Sequence, residues 1–188
     1  MFVGLKLFSL RILGAVSALC ISAMTLPLFA ESAEIKQVRV GLLAHNRGLI
    51  ASKVEHGVDL NVEAVFNAIP VMLNGQPTVG AVVNNIGYTS FGYAGLSWQF
   101  DIDIGDTGQG LLIVPFFGAA IHDGEIQPED DRRGLGCRLV FREAIDIGWR
   151  FSDRYAISVM TDHLSHGGFC EDRNQGLDNS GVRFHMRF

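Results

Sequence analysis

Residues 178–188 read Asp178-Asn179-Ser180-Gly181-Val182-Arg183-Phe184-His185-Met186-Arg187-Phe188. Side chains alternate from face to face along an extended chain. Val182, Phe184, Met186 and Phe188 therefore share one face, and Arg183, His185 and Arg187 share the other. Two architectures make such a strand. A soluble β-sandwich buries the apolar face as core, whereas a barrel in a bilayer turns it outward and keeps the charges inside.

The same alternation recurs upstream. Val38, Val40, Leu42 and Ala44 alternate with Arg39, Gly41, Leu43 and His45. Val58, Leu60, Val62, Ala64 and Phe66 alternate with Asp59, Asn61, Glu63 and Val65. Leu139, Phe141, Ile145, Ile147 and Trp149 share a face interrupted only by Glu143. No segment carries a long helical period. The pattern predicts eight strands, at 36–46, 56–67, 77–87, 89–102, 108–122, 138–151, 155–166 and 178–188. Most reach the ~9–11 residues that cross a bilayer as a tilted strand. Short turns are expected at 103–107 and 152–154, and longer polar loops at 122–136 and 166–177. An alternating last strand that closes on an aromatic resembles the assembly signal of bacterial outer-membrane barrels. The expected fold is all-β: an eight-stranded antiparallel up-and-down transmembrane β-barrel. Arg39, Arg142, Arg183 and Arg187 on the inner faces should pair with Asp59, Glu63 and Asp146 rather than line a pore.

Residues 1–30 are expected to be a secretory signal peptide, leaving 31–188 as the barrel domain. Lys6 and Arg11 precede an apolar run from Ile12 to Leu26, and Ala30 ends a cleavage-like region. Cys20 follows Leu19, which is too large for a lipoprotein signal. Past residue 30 the chain keeps all 20 acids and loses two of its 15 bases, for a net charge of −7. That balance argues against a nucleic-acid partner. No further run of about 18 apolar residues predicts a transmembrane helix. Cys137 and Cys170 fall in predicted loops at the same end, so a disulfide and two free thiols are both open.

The chemistry gathers near the C-terminal end. Ile157, Val159 and Thr161 place one face of the strand 155–166 toward lipid, and His163 and Ser165 lie on that same face. Antiparallel pairing around the following loop brings Asp178 beside them. A Ser hydroxyl needs a base to become nucleophilic, and a His oriented by a carboxylate is such a base. Gly168 and Asn174 in the loop supply a backbone N–H and a side-chain amide for a developing oxyanion. A Ser/His/Asp set on the lipid side of a barrel is placed to attack a lipid ester.

His163-Leu164-Ser165-His166-Gly167-Gly168 and Asn174-Gln175-Gly176-Leu177-Asp178 resemble the active-site segment of the lipid A 3-O-deacylase family of the PagL type, H-x-S-N-x-G followed by N-x-G-x-E. Weaker likeness reaches back through Gly57-Val58-Asp59-Leu60-Asn61, the stretch Thr89–Trp98 and Val140-Phe141-Arg142-Glu143. The resemblance implies an outer-membrane ester hydrolase that removes the 3-linked acyl chain of lipid A in lipopolysaccharide, at the outer-leaflet rim, releasing a 3-hydroxy fatty acid. It implies Ser165 as nucleophile, His163 as base, Asp178 as the triad acid, and Gly168 with Asn174 as the oxyanion hole, with no cofactor. Three positions depart from the pattern. His166 replaces Asn, Asp178 replaces Glu, and the loop between Gly168 and Asn174 is one residue longer.

Other residues leave readings open. Glu143 stands either near the membrane interface or in a homodimer contact. His45, His56 and His122 lack metal-ligand spacing, so no metal is expected, and His185 is expected inside, hydrogen-bonded. A non-catalytic barrel with an envelope-structural or adhesion role, and an acyltransferase, are the competing functions.

Overall fold

Nine antiparallel strands are found among the described residues of the computed structural model, which are 34–48, 55–106, 108–170 and 173–188. The expected signal peptide lies outside them. The strands are β1 (Ile35–Ala44), β2 (Val58–Phe66), β3 (Gln76–Asn84), β4 (Phe91–Ser97), β5 (Phe100–Asp103), β6 (Gly110–His122), β7 (Leu139–Arg150), β8 (Tyr155–Ser165) and β9 (Leu177–Arg187). β1 pairs with β9, and β4 closes the sheet on β6, so it has no free edge at that level.

Nine strands make an eight-position barrel because β4 and β5 share one position. Both pair with β6, at Ser97↔Phe116 and Phe100↔Ile113. Alternation alone runs them together as one strand, 89–102. The break at Trp98–Gln99 faces Pro115. The Pro115 carbonyl accepts the Trp98 N–H at 3.0 Å, and in an antiparallel strand the N–H of the same residue would point to the same side. Proline has none to give, so the ladder is interrupted there.

Alternation sets the two surfaces. Val40, Leu42, Val58, Leu60 and Val62 are exposed, while Arg39, Asp59, Asn61 and Glu63 between them are buried. An apolar outside around a charged inside suits hydrocarbon surroundings, not water. Arg39 and Arg183 pair with acids of the expected set, while Arg142 pairs with Asp162 and Asp59 with His45. Arg39 binds Glu63 at 2.6 Å, Arg183 reaches Asp146 at 3.0 Å and Glu63 at 3.5 Å, and Arg142 holds Asp162 at 2.8 Å. Tyr93 donates its hydroxyl to Glu63 at 2.8 Å, and the Arg142 guanidinium lies 4.0 Å over the Tyr93 ring. His185 is fully buried and shares a 2.7 Å hydrogen bond with Ser158 Oγ. Arg187 departs from the expected interior set and pairs with Asp101 near the short-turn end.

The connections after β1, β3, β6 and β8 gather at one end. The start of β1, the end of β9 and the connections after β2, β5 and β7 lie at the other. The β2–β3 connection carries a 3-10 turn at Pro70–Met72 that alternation did not signal. At the long-loop end Leu135 folds inward and is fully buried among Leu43, Val82, Leu164 and Leu177. A loop residue thus closes the top of the interior with apolar surface.

Candidate active site

β8 and β9 carry the candidate residues. Along β8 the even positions Ala156, Ser158, Met160, Asp162 and Leu164 are buried inside, while 155, 157 and 159 are exposed and 161, 163 and 165 partly so. His163 and Ser165 therefore point outward at the long-loop end of the strand. The register sets His163 directly against Asp178 of β9, and His163 Nδ1 is hydrogen-bonded to Asp178 Oδ1. With the proton on Nδ1 donated to the carboxylate, Nε2 carries the lone pair. Ser165 Oγ makes no hydrogen bond to His163 in this arrangement. Strand residues two apart lie about 7 Å apart along one face, a span an imidazole turned along the strand covers.

Asp178 is outward by register yet only 4% exposed. Its cover comes from the β1–β2 connection. A methyl group at Gly48 would overlap Asp178 Cβ and lie 2.7 Å from Oδ2, so the bare Gly48 backbone rests on the acid. Gly176 approaches the other partner: a methyl there would lie 2.8 Å from His163 Cε1. Gly176 also has φ +64°, a conformation that glycine adopts without strain. Neither close approach was legible in the sequence. Gly48 is more than a hundred residues from the acid it covers.

The loop after β8 opens with a tight turn. Gly167 and Gly168 have φ of +58° and +84°, and Phe169 N–H donates to His166 carbonyl at 3.0 Å. Two positive φ values in sequence are the geometry of a type I′ turn. The Gly168 N–H donates to His166 Nδ1 at 3.0 Å, so that amide is engaged within its own turn. The Asn174 side chain accepts the Gly176 N–H on Oδ1 at 2.9 Å, which fixes the amide with its NH2 as the remaining donor. Cys137 and Cys170 form a disulfide with a Cα–Cα distance of 6.3 Å, tying this loop to the β6–β7 connection. Phe169 packs edge-on against Phe141, the cross-strand partner of Ser165, and Phe141 stacks on Phe117.

The loop is also held from inside the mouth. Gln175 N–H donates to Gly134 carbonyl at 3.0 Å, and Gly134 N–H donates to Gln175 Oε1 at 3.1 Å. Arg133 Nη1 donates to the Gln175 carbonyl at 3.1 Å, and its backbone N–H donates to Glu55 at 2.7 Å. Glu55 further accepts His45 Nε2 at 2.7 Å and the Thr89 hydroxyl at 3.3 Å. His45 Nδ1 binds Asp59 at 2.8 Å. Four connections thus meet around one buried carboxylate. Burial opposes charge on His45, but its hydrogen bonds to Asp59 and Glu55 outweigh it and raise the imidazole to about 9. Burial likewise opposes charge on Glu55, and His45 with the Arg133 and Thr89 backbone amides holds that carboxyl below its ordinary value. His45, which has no metal-ligand spacing around it in the sequence, bridges Glu55 and Asp59 in this clasp.

Fold and site together define a class: an outer-membrane β-barrel carrying a Ser, a His and a carboxylate on its lipid-facing side. A family model for lipid A 3-O-deacylase (PagL) matches residues 73–187, more than half of the chain. The chain belongs to that family, whose members are lipid A ester hydrolases of the bacterial outer membrane. Among solved structures it resembles the crystal structure of the outer membrane enzyme PagL, with a TM-score of 0.61 at 13% identity over 81% of this chain and 99% of that one. At that identity the likeness speaks for the fold. A search of curated proteins found no match.

Proposed function

We propose that this barrel hydrolyses the 3-linked acyl ester of lipid A in the outer leaflet, with Ser165, His163 and Asp178 as its triad. The observation that carries the reading is the outward-facing His163, bound at Nδ1 to an Asp178 that the barrel's own loops cover. An acid held under Gly48 and away from solvent fixes the imidazole tautomer and stabilises its cation, which is the part an acid plays in such a triad.

Ser165 Oγ attacks the ester carbonyl as its proton passes to His163 Nε2. The tetrahedral oxyanion takes the Asn174 NH2 and the Gly168 N–H, once that amide leaves His166 Nδ1. Collapse breaks the bond to the sugar oxygen, which receives the proton from Nε2. Water then gives a proton to Nε2 and its oxygen to the acyl-serine, releasing the 3-hydroxy fatty acid and restoring Ser165. The long-loop end faces outward in this reading, which puts the triad at the outer-leaflet rim, where lipid A lies.

Purified folded protein incubated with lipopolysaccharide in mixed micelles tests the reading. Wild type should release free 3-hydroxy fatty acid, and Asp178→Asn should release it at least about 100-fold more slowly, because the imidazole loses its orientation. Release of no fatty acid by folded wild type would favour a non-catalytic envelope barrel. Transfer of the chain to a second lipid would favour an acyltransferase.

A further inference from the structure

Glu143 has no role in the chemistry above, and its position is costly. It is exposed on the outward face of β7, between Phe141 and Ile145. It has no ion pair or hydrogen bond among the described residues. A bare carboxylate on the lipid side of a barrel is destabilising unless it lies near the interface or meets a partner. The register shows where it stands: Glu143 is directly opposite His163, and His163 is directly opposite Asp178. Three strands set a carboxylate on each side of the imidazole. Directly opposed residues have Cβ atoms about 4.5–5.5 Å apart, so Glu143 reaches the space in front of His163. Asp178 already occupies Nδ1, which leaves Glu143 facing whatever sits against the triad.

A groove follows from the same row. It runs along β7 and β8 past Ile145 and Thr161, with Glu143 and His163 at its head, and its walls are mainly apolar. It leads from the Glu143–His163 row to the Ile145–Thr161 row, the direction an acyl chain takes into the membrane from the triad. The Ser165–Phe141 row lies one step nearer the long loops, and the His163–Glu143 row one step deeper. An acyl chain with its carbonyl at Ser165 passes Glu143 on its way down.

We propose that Glu143 is a specificity-determining residue that accepts a hydrogen bond from the hydroxyl on the third carbon of the acyl chain. The proposal rests on the hydrolase reading above. The carbon that bears that hydroxyl is two bonds from the ester carbonyl carbon, which puts the hydroxyl between the two rows. An ionised carboxylate only accepts hydrogen bonds, so it matches a hydroxyl and repels a phosphate. Surrounded by Phe141, Ile145 and the chain itself, the bond is charge-assisted and poorly solvated, and correspondingly strong. A chain without the hydroxyl leaves the carboxylate desolvated with no donor, and this missing partner is what discriminates.

The test uses two matched esters in mixed micelles, one 3-hydroxyacyl and one plain acyl of equal length, with wild type, Glu143→Gln, Glu143→Leu and Ser165→Ala. Wild type should prefer the hydroxylated ester by about 10-fold or more in kcat/KM, the range of a hydrogen bond to a charged group. Glu143→Leu should bring the ratio close to one, chiefly through loss on the hydroxylated ester, and Glu143→Gln should fall between. Glu143→Gln preserves size and carries the comparison alone if the Leu variant does not assemble. A ratio unchanged in either folded variant, or a wild-type ratio near one, overturns the proposal. A dimer seen by cross-linking and lost in Glu143→Leu with the ratio unchanged would instead make Glu143 a subunit contact. Turnover of both esters by Ser165→Ala would refute the triad reading on which the proposal rests, whereas an unchanged ratio with an inactive Ser165→Ala would refute the proposal alone.

Discussion

The backbone of Gly48 lies against the side chain of Asp178, close enough that any Cβ at position 48 would overlap it. Gly48 of the β1–β2 connection is therefore part of the candidate site. It keeps the carboxylate out of water and limits where it can move.

Gly48→Ala should displace Asp178 while leaving the strands intact. We expect a fall in kcat of about 10–100-fold with little change in KM, since a misplacement of about 1 Å can cost that much. Heat-modifiable migration should be unaltered. Unchanged kcat in the folded variant would show that the acid tolerates a looser cover.

Ser165 and His163 act as a unit in this account. Ser165→Ala and His163→Ala should each remove nearly all turnover, and the double variant should be little worse than either. Additive losses, measured as fatty acid released per folded protein, would separate their roles. Asn174→Ala should cost about 10²–10³ in rate if its NH2 holds the oxyanion.

His166 takes the Gly168 N–H on its Nδ1, and an oxyanion at the same amide has to displace it. His166→Ala removes the competing acceptor. We expect kcat to rise by a few-fold with the disulfide intact. A large fall would show that the ring serves the reaction instead of competing with it.

The clasp at the mouth gives a pH dependence with a definite sign. His45 has its folded value raised from 6.5 to about 9, so its contribution is complete below its unfolded value and is lost as pH rises through about 9. Glu55 has its value lowered, so its contribution is present above its unfolded value and is lost as pH falls through the lower folded one. Protease cleavage of the loops should therefore increase between pH 8 and 10, the alkaline window on the order of the His45 value. His45→Gln should abolish that step. An identical pH profile in the variant would remove His45 from the account.

Reduction of Cys137–Cys170 releases the β8–β9 loop from the β6–β7 connection. The barrel should stay folded, because its strands do not depend on that bridge. Activity should fall as the loop that carries Asn174 loosens. Thiol labelling of unreduced, denatured protein checks the pairing directly, since two reactive thiols would contradict it.

Much of this fold was legible because alternation is local. Val182, Phe184 and Met186 announced an outward face, and the same period placed every barrel strand within a few residues. Asp178 beside His163 followed from antiparallel pairing around one loop. The rest depended on distant partners. The break at Trp98–Gln99 is caused by Pro115 on the neighbouring strand, which no local reading of 89–102 contains. Gly48 over Asp178 and His45 under Glu55 arise where loops dock, and loop docking leaves no periodic trace. Glu143 stood out as a carboxylate on an apolar face, but only the register set it opposite His163.

The proposed reaction depends first on Ser165. The direct measurement is a mass spectrum of lipid A from cells expressing wild type or Ser165→Ala at equal levels of folded protein. Wild type should shift lipid A down by one 3-hydroxyacyl chain, and Ser165→Ala should leave it unshifted. Lipid A deacylated equally by both would contradict the account.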